Sequence, residues 1–240
     1  VIRPKDEPAP PPIRLSGSEI PPRRIAEIAG IAAWRHDFTL TPADGGYEFE
    51  GRFHAVATDL SGDLRLAFVS CNGEENGDLD RDGAERNLMW TRLAHDHAQA
   101  PFALLLQGGD QIYADEATQG HPLSQDWPDK VPQVEDPAQL ADLAAHLRRR
   151  FVARYLHVLQ APGYAAMAAQ VPALSVWDDH DICDGWGSLP EKRSRSAVGQ
   201  TLFAVARETY LLFQHGAVES DIPELFLDAS GASLSWKREL

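Results

Sequence analysis

The stretch VWDDHDICDGWG, from Val176 to Gly187, ends an apolar segment and begins an acidic one. The residues VPALSVW that lead into it have the composition of a short buried strand, and aspartates then surround His180. Carboxylates this close repel each other unless a cation lies among them. The stretch therefore predicts a metal site where a strand ends. The ordinary alternative is an acidic helix N-terminus, where carboxylates favour the helix dipole.

Two earlier apolar runs end in a similar way. Leu64–Ser70 has the pattern of a buried strand and is followed directly by Cys71. Phe102–Gln107 has the same pattern and leads into GGDQIYADE, which contains Asp110 and Tyr113. Each of these strands therefore ends in residues that can ligate a metal ion.

Helical patterns alternate with these strands. The sequence predicts helices over about Glu85–Gln99, Pro137–Leu159 with Asp136 as N-cap, Tyr164–Gln170 and Ser196–Gln214. This order predicts an α/β fold with a mostly parallel sheet. Because sites in such sheets lie beyond the carboxyl ends of the strands, we expect the strand ends to meet in one crevice.

The GDxxY stretch has its own chemistry. Gly109 allows a tight turn, and the carboxylate of Asp110 can bridge two cations. A phenol such as that of Tyr113 ligates only a strongly Lewis-acidic ion such as ferric iron, since its free pKa is about 10. The alternative is an ordinary aspartate turn beside a packed tyrosine.

The cysteines and the histidine have structural alternatives as well. Cys71 is either a small buried apolar residue or a thiolate ligand. Cys183 lies beside the acidic run and is expected either to be structural or to support the site residues without ligating the metal. His180 is a candidate for protonating a leaving group or for stabilising developing charge.

Taken together, these residues resemble a known family. GDxxY followed by a D-H-D strand end resembles the calcineurin-like metallophosphoesterases, and the tyrosine resembles that of purple acid phosphatases. The fuller set resembles the PhoD-like (alkaline phosphatase D) family more closely: FVSCN at Phe68–Asn72, LLLQGGDQIYADE at Leu104–Glu116 and WDDHD at Trp177–Asp181. The resemblance covers about Leu64–Gln214.

The resemblance implies a fold, a site and an activity. The implied fold is a four-layer α/β/β/α sandwich, of which this chain supplies the first half, with a short N-terminal β segment. The implied metal ligands are Cys71, Asp110, Tyr113 and Asp179, with His180 as the catalytic residue and Asn72, Asp178 and Asp181 as secondary candidates. The implied metals are ferric iron (Fe3+) and calcium, or another divalent ion at the second position. The implied reaction is two-metal hydrolysis of phosphate mono- and diesters, in which a metal-bound hydroxide attacks phosphorus.

The sequence departs from the family pattern in one respect. The family has further ligands on later strands, whereas only His215, within FQHG, follows His180 here. The chain is therefore expected to be the N-terminal part of a longer catalytic domain, to be completed from elsewhere, or to be a degenerate relative. The last case gives an alternative function, that of a non-catalytic interaction domain with the family's fold.

Composition limits the remaining possibilities. The sequence indicates a proline-rich, weakly ordered arm over residues 1–24, a β segment over 25–62 and a metallophosphoesterase domain over 63–240. Within the β segment, a strand over Tyr47–Thr58 is predicted to pair with Leu64–Ser70 through an Asp/Ser/Gly turn. The net charge of −14 excludes a nucleic-acid-binding protein with a basic face. No apolar run is long enough to span a membrane, and no feature indicates a compartment.

Two further motifs have ordinary explanations. Asp78, Asp80 and Asp82 match the first half of a calcium loop, but Met89 stands where that loop needs a bidentate glutamate. A weak calcium-binding module is therefore a third possible function. The arginines Arg148–Arg150 are expected to form a solvated helix face.

Overall fold

The computed structural model describes residues 1–73, 77, 80–134 and 136–230. Its strands are β1 Ile2–Pro4, β2 Ile13–Leu15, β3 Ser18–Ile20, β4 Arg23–Ile28, β5 Ile31–Arg35, β6 Gly46–Phe49, β7 Arg52–Ala55, β8 Leu66–Val69, β9 Leu104–Gly108 and β10 Ala173–Val176. Its helices are α1 Gly83–Arg86, α2 Leu88–Gln99, α3 Pro137–Leu159, α4 Pro162–Gln170, α5 Glu191–Ser194, α6 Ala197–His215 and α7 Ile222–Leu225. The tail residues 231–240 lie outside the described residues.

The predicted parallel sheet is present. The strands β8, β9 and β10 form a three-stranded sheet in the order β10-β9-β8, and both pairings are parallel. Leu66 lies opposite Leu104, and Ala173 lies opposite Leu105. The α/β class is therefore confirmed, and the carboxyl ends of the three strands lie at one edge, as expected.

The two faces of this sheet differ. On one face, Ala67 and Leu105 pack against Trp90 of α2 and Met167 of α4. On the other face, Phe68 keeps 70% of its surface exposed. The described residues thus contain a single parallel sheet covered on one side, as expected for the first half of a sandwich.

The two long helices, α3 and α6, pack against each other beside the sheet. Their core contacts include Leu147 and Phe151 of α3 and Leu202 of α6, all fully buried. Asp136 caps α3 by accepting from the Ala138 N–H at 2.9 Å, which confirms the predicted N-cap. The predicted bounds of α3 are also confirmed, because the cap and the apolar spacing agree.

The prediction of a weakly ordered arm over residues 1–24 is wrong. This segment contains three strands and the start of a fourth, arranged in two antiparallel sheets, β1-β5-β4 and β3-β2-β6-β7. Three tight turns connect the hairpins of these two sheets, and both residues of each turn have positive φ. The turns are Ser16-Gly17, Ala29-Gly30 and Glu50-Gly51. Such two-residue turns match the twist of the strands that they join, so short strands pair despite the prolines.

The last of these turns corrects another expectation. The single strand predicted over Tyr47–Thr58 is a hairpin of β6 and β7, because the chain reverses at Glu50-Gly51. The strand β7 therefore pairs with β6 and not with β8, which lies in the parallel sheet. The N-terminal strands also contact the helices, since Ile28 and Ile31 pack against Val152 of α3 and Leu212 of α6.

Two further observations concern the helices. Near the end of the described residues, Ile222–Leu225 forms the short helix α7. None of the helices within the described residues combines the length and the apolar character that a membrane crossing requires. The division into domains at residues 24 and 62 stays a prediction.

Candidate metal centre

The ends of the three parallel strands meet, as predicted. The Cys71 N–H donates to the Gly109 carbonyl at 3.1 Å, and the Asn72 N–H donates to the Asp110 carbonyl at 2.9 Å. Gly109 has φ +107°, and a Cβ there would lie 2.6 Å from the Cβ of Asp178. A glycine is therefore required at this position, because only its bare Cα lets the second and third strand ends approach so closely.

Three side chains form a compact cluster at this edge. Asp110, Asp179 and His180 each offer a ligand atom, and these atoms lie within 4.8 Å of one another. Asp110 is buried, and its Oδ1 has no hydrogen-bond partner among the residues that the structure describes. A buried oxygen without a partner is unfavourable, so the cluster fits a cation that would satisfy it.

The electrostatics of Asp110 agree with this interpretation. Burial raises the pKa of the Asp110 carboxyl, and the neighbouring carboxylates of Asp178 and Asp179 raise it further. The Cys71 thiol, which hydrogen-bonds to Asp110, and the charge of His180 act in the opposite direction. Several carboxylates in one partly buried site are stable together when a cation compensates their charge.

The backbone is strained at two of the predicted ligands. Cys71 has φ +53° and Asp110 has φ +55°, a left-handed conformation that is uncommon for residues other than glycine. Aspartate tolerates this region moderately well, whereas cysteine has no special preference for it. Each residue lies two positions after the last residue of a strand, Val69 of β8 or Gly108 of β9, so the strain turns both side chains at the edge where the strands end.

The other two predicted residues lie beside the cluster. Cys71 is exposed and reaches Asp110 through its thiol. The ring of Tyr113 stacks on the ring of His180, with centroids 4.3 Å apart and an interplanar angle of 26°. The structure thus groups Asp110, Asp179 and His180 and places Cys71 and Tyr113 beside them, while the roles of all five as metal ligands and as catalyst stay predictions.

His180 has a partner, Asp115, that was not among the predicted site residues. Its Nδ1 lies 2.9 Å from Asp115 Oδ2, and Asp115 also accepts from the Asp184 N–H. Burial alone would lower the pKa of His180, but the hydrogen bond to Asp115 and the surrounding carboxylates outweigh it, so the pKa is raised. Asp115 stands in the GDQIYADE stretch, only two residues after Tyr113. This position in the motif is the feature of the sequence that could have identified Asp115 as a site residue.

Asp179 is held by the loop that follows it. Its Oδ2 accepts from the Gly185 N–H at 2.7 Å, and Gly185 has a positive φ of 70°. This bond fixes the carboxylate and leaves it within the cluster. The glycine in DGWG therefore shapes the site from the far side of the acidic run.

The secondary candidate Asp181 has a different position. Its side chain is fully buried and accepts hydrogen bonds from the backbone N–H groups of Asp110, Ile112 and Asp178 and from the side chain of Gln214. Burial raises its pKa to about 6, against the effect of these donors. Asp181 thus ties two strand-end loops to α6, which is a scaffolding role.

The other secondary candidates also support the loops. The Asn72 side chain donates to the Gln111 carbonyl at 3.2 Å and accepts from the indole N–H of Trp90. The Asp178 side chain accepts from the Asp179 N–H at 2.9 Å. Both ends of the Asn72 amide are therefore engaged in holding the loops together.

Three residues outside the cluster have structural surroundings. Cys183 is buried, as expected, and burial raises its pKa to about 12. His215 packs edge-on against Tyr210 and Phe226. Asp82 accepts from the backbone at the start of α1, while Asp78 of the calcium-loop motif lies outside the described residues.

The chain is similar to several known proteins. The model of a family described as PhoD related phosphatase matches residues 52–226. "Uncharacterized protein YGR266W" of Saccharomyces cerevisiae is 29% identical over 191 residues, which cover 71% of this chain and 26% of that protein. The chain thus spans about a quarter of this relative's length. A solved structure described as "Structure of PhoD" is 18% identical, with a TM-score of 0.32 over 61% of this chain and 24% of that one.

Proposed function

Because the chain belongs to the PhoD related phosphatase family, we propose that it carries the strand-end ligands of a metal-dependent enzyme that hydrolyses phosphate mono- and diesters. The observation that supports this most directly is the cluster of Asp110, Asp179 and His180, with its unpartnered Asp110 Oδ1. Family membership supplies the chemistry, and the cluster supplies a place for it at the carboxyl edge of a parallel sheet.

The donor atoms fit two kinds of metal ion. Cys71 and Tyr113 offer a thiolate and a phenolate, which suit ferric iron, and Asp110 stands beside Cys71 as a ligand that two ions can share. Asp179 offers an oxygen that suits calcium or another divalent ion. When bound, such ions supply positive charge that lowers the pKa of water and neutralises phosphate oxygens.

His180 is the proposed proton donor. Its Nδ1 is held by Asp115, so Nε2 is the nitrogen that can exchange a proton with a substrate. Since the surrounding carboxylates favour the imidazolium, His180 is suited to protonate the oxygen of the leaving group.

Two neighbours position the His180 ring. Asp115 fixes the ring through Nδ1, and Tyr113 covers one of its faces. A ring held on two sides loses little freedom when the substrate binds, which favours proton transfer in one geometry.

Hydrolysis assays test this function. The protein, supplied with iron and calcium, is expected to hydrolyse bis(p-nitrophenyl) phosphate and p-nitrophenyl phosphate. Asp179→Asn is expected to lose this activity, because it removes one charged ligand. Asp96→Asn, an exposed change on α2, is the matched control and is expected to behave as the wild type. Equal activity in wild type and Asp179→Asn would contradict the proposal.

The alternative is a non-catalytic interaction domain with the same fold. It is favoured by the position of His215, which packs against Tyr210 and Phe226 in a structural setting. It predicts that neither ester is hydrolysed with any added metal. Turnover that depends on Asp179 would exclude it.

A further inference from the structure

A small cavity lined by two arginines and one glutamate lies beside the candidate metal centre. It has a volume of about 200 Å³, and its lining includes Tyr113, Glu116, Arg150, Arg154 and His157. The last three are spaced along one face of α3. Because Tyr113 also stacks on His180, the same side chain separates this cavity from the cluster.

The arginines are held in place by one acidic residue. Arg150 Nη2 donates to the Glu116 carbonyl at 3.0 Å, and Arg154 Nη2 donates to the Glu116 carboxylate at 3.0 Å. A guanidinium has five N–H donors, so a bond to a backbone carbonyl orients Arg150 without neutralising it. The face Arg148–Arg150 was expected to be solvated. Its last residue, Arg150, also lines the cavity.

A third guanidinium, that of Arg86, lies next to His157 of the cavity lining. Arg86 Nη1 lies 3.0 Å from His157 Nε2, so the imidazole accepts a hydrogen bond from the arginine. Arg86 also lines a second cleft of about 460 Å³, which Cys71 borders. Arg150 and Arg154, here called the basic wall, line the cavity that adjoins the acidic cluster at Tyr113, in a chain whose net charge is −14.

We propose that the basic wall binds a second phosphate group of the substrate, so that the natural ester carries a phosphate besides the one that is hydrolysed. This inference rests on the proposed phosphoesterase function. The cavity is large enough for a phosphate, and arginine pairs favour its tetrahedral, multiply charged oxygens. An ester with one phosphate would place no phosphate group at the basic wall.

Binding of paired phosphonates tests the proposal without turnover. Alkane α,ω-bisphosphonates of two to six carbons are compared with matched monophosphonates by calorimetry on the metal-loaded protein. One chain length is expected to bind at least about tenfold more tightly than its monophosphonate, since it reaches the centre and the basic wall together. Arg150→Gln is expected to remove this preference, and Ala153→Glu, which places a carboxylate in the cavity lining, is expected to do the same.

Arg149→Gln is the matched control. It removes the same charge from the same helix at an exposed position outside the cavity lining, and the preference is expected to remain. No preference at any chain length, or a preference that survives in Arg150→Gln, would overturn the inference.

Parallel hydrolysis of bis(p-nitrophenyl) phosphate separates the two proposals. Hydrolysis without a bisphosphonate preference would overturn the basic wall alone. A preference that depends on Arg150 without hydrolysis would show that the basic wall binds a phosphate group, but it would overturn the inference that this group belongs to a hydrolysed ester.

Discussion

Two carboxylates in the strand-end loops, Asp110 and Asp181, are both buried but have opposite surroundings. The Asp110 N–H donates to Asp181 at 2.8 Å, so the two residues are directly linked. Asp181 accepts four hydrogen bonds, whereas Oδ1 of Asp110 has no partner within the described part of the chain. Neighbouring acidic residues of one site can therefore differ entirely in role.

The difference shows what identifies a site among buried acids. Burial alone is shared by both residues and decides nothing. A carboxylate that receives several N–H donors stabilises the fold, because removing it leaves those donors unpaired. A carboxylate with an unpartnered oxygen on a strained backbone is unfavourable by itself, which is typical of a residue kept for a ligand.

The largest expected effect is on activity, from Asp110→Asn. The amide keeps the size of the side chain but removes the charge that a metal ion needs. We expect hydrolysis of bis(p-nitrophenyl) phosphate to fall on the order of 10³-fold, since bound metal contributes several kcal/mol to the transition state. Urea unfolding without metal is expected to show equal or higher stability, because repulsion with Asp178 and Asp179 is relieved. A variant that unfolds much more easily would place Asp110 with Asp181 as a scaffold residue.

Asp181→Ala is expected to act on stability. It removes the acceptor of four N–H donors, of which the Asp110 and Ile112 N–H groups are buried, so the free energy of unfolding should fall by at least about 3 kcal/mol. Urea unfolding followed by tryptophan fluorescence measures it, with the exposed neighbour change Asp184→Ala as the control. An unfolding midpoint equal to that of the control would contradict the scaffolding role of Asp181 and with it the comparison with Asp110.

Asp115→Asn tests the residues of the candidate site in this comparison. Loss of the charge that holds Nδ1 of His180 weakens the proton donor, and we expect activity to fall about 10- to 100-fold. The loss should be larger for an alkyl phosphate ester than for a p-nitrophenyl ester, because p-nitrophenolate leaves without a proton. Equal losses on both esters would mean that Asp115 does not act through proton transfer.

Asp221→Asn, at the edge of the fold, is expected to have the smallest effect. Asp221 accepts from Arg35 at 3.0 Å, and both side chains are partly exposed. Burial alone would raise the pKa of Asp221, but the Val218 N–H and Arg35 outweigh it, so the pKa is lowered from its usual 3.8. The carboxylate therefore adds stability above that value, which is lost as the pH falls through the folded-state pKa.

Unfolding of wild type and Asp221→Asn at neutral and acidic pH measures this contribution. We expect a difference below about 1 kcal/mol at neutral pH that vanishes in acid. A difference that grows as the pH falls would have the wrong sign for a carboxylate with a lowered pKa.

Much of the parallel sheet and its site could be predicted from sequence. The strands β8, β9 and β10 are short apolar runs that end in polar residues, and chain order alone implies that these ends meet. The caps at Asp136 and Ser196 mark the starts of α3 and α6. Local chemistry and tertiary structure agree at these positions.

The rest depended on contacts that the sequence does not display. The hairpins at Ser16-Gly17 and Ala29-Gly30 join strands of three to six residues among prolines, and the second hairpin is supported by packing on α3 and α6. The sequence does not distinguish Asp181 from Asp179, because the direction of each side chain is set by the tertiary position of the loop. The pairing of Asp115 with His180 joins residues that are 65 positions apart.

The most direct test is the metal content of the purified protein and of Asp110→Asn, together with their visible absorption spectra. The wild type is expected to contain iron and to show a broad visible band from tyrosinate or thiolate ligation, and Asp110→Asn is expected to lose both. The exposed change Asp96→Asn should retain both. Equal metal content in wild type and Asp110→Asn would contradict the assignment of the unpartnered Asp110 oxygen to a metal site.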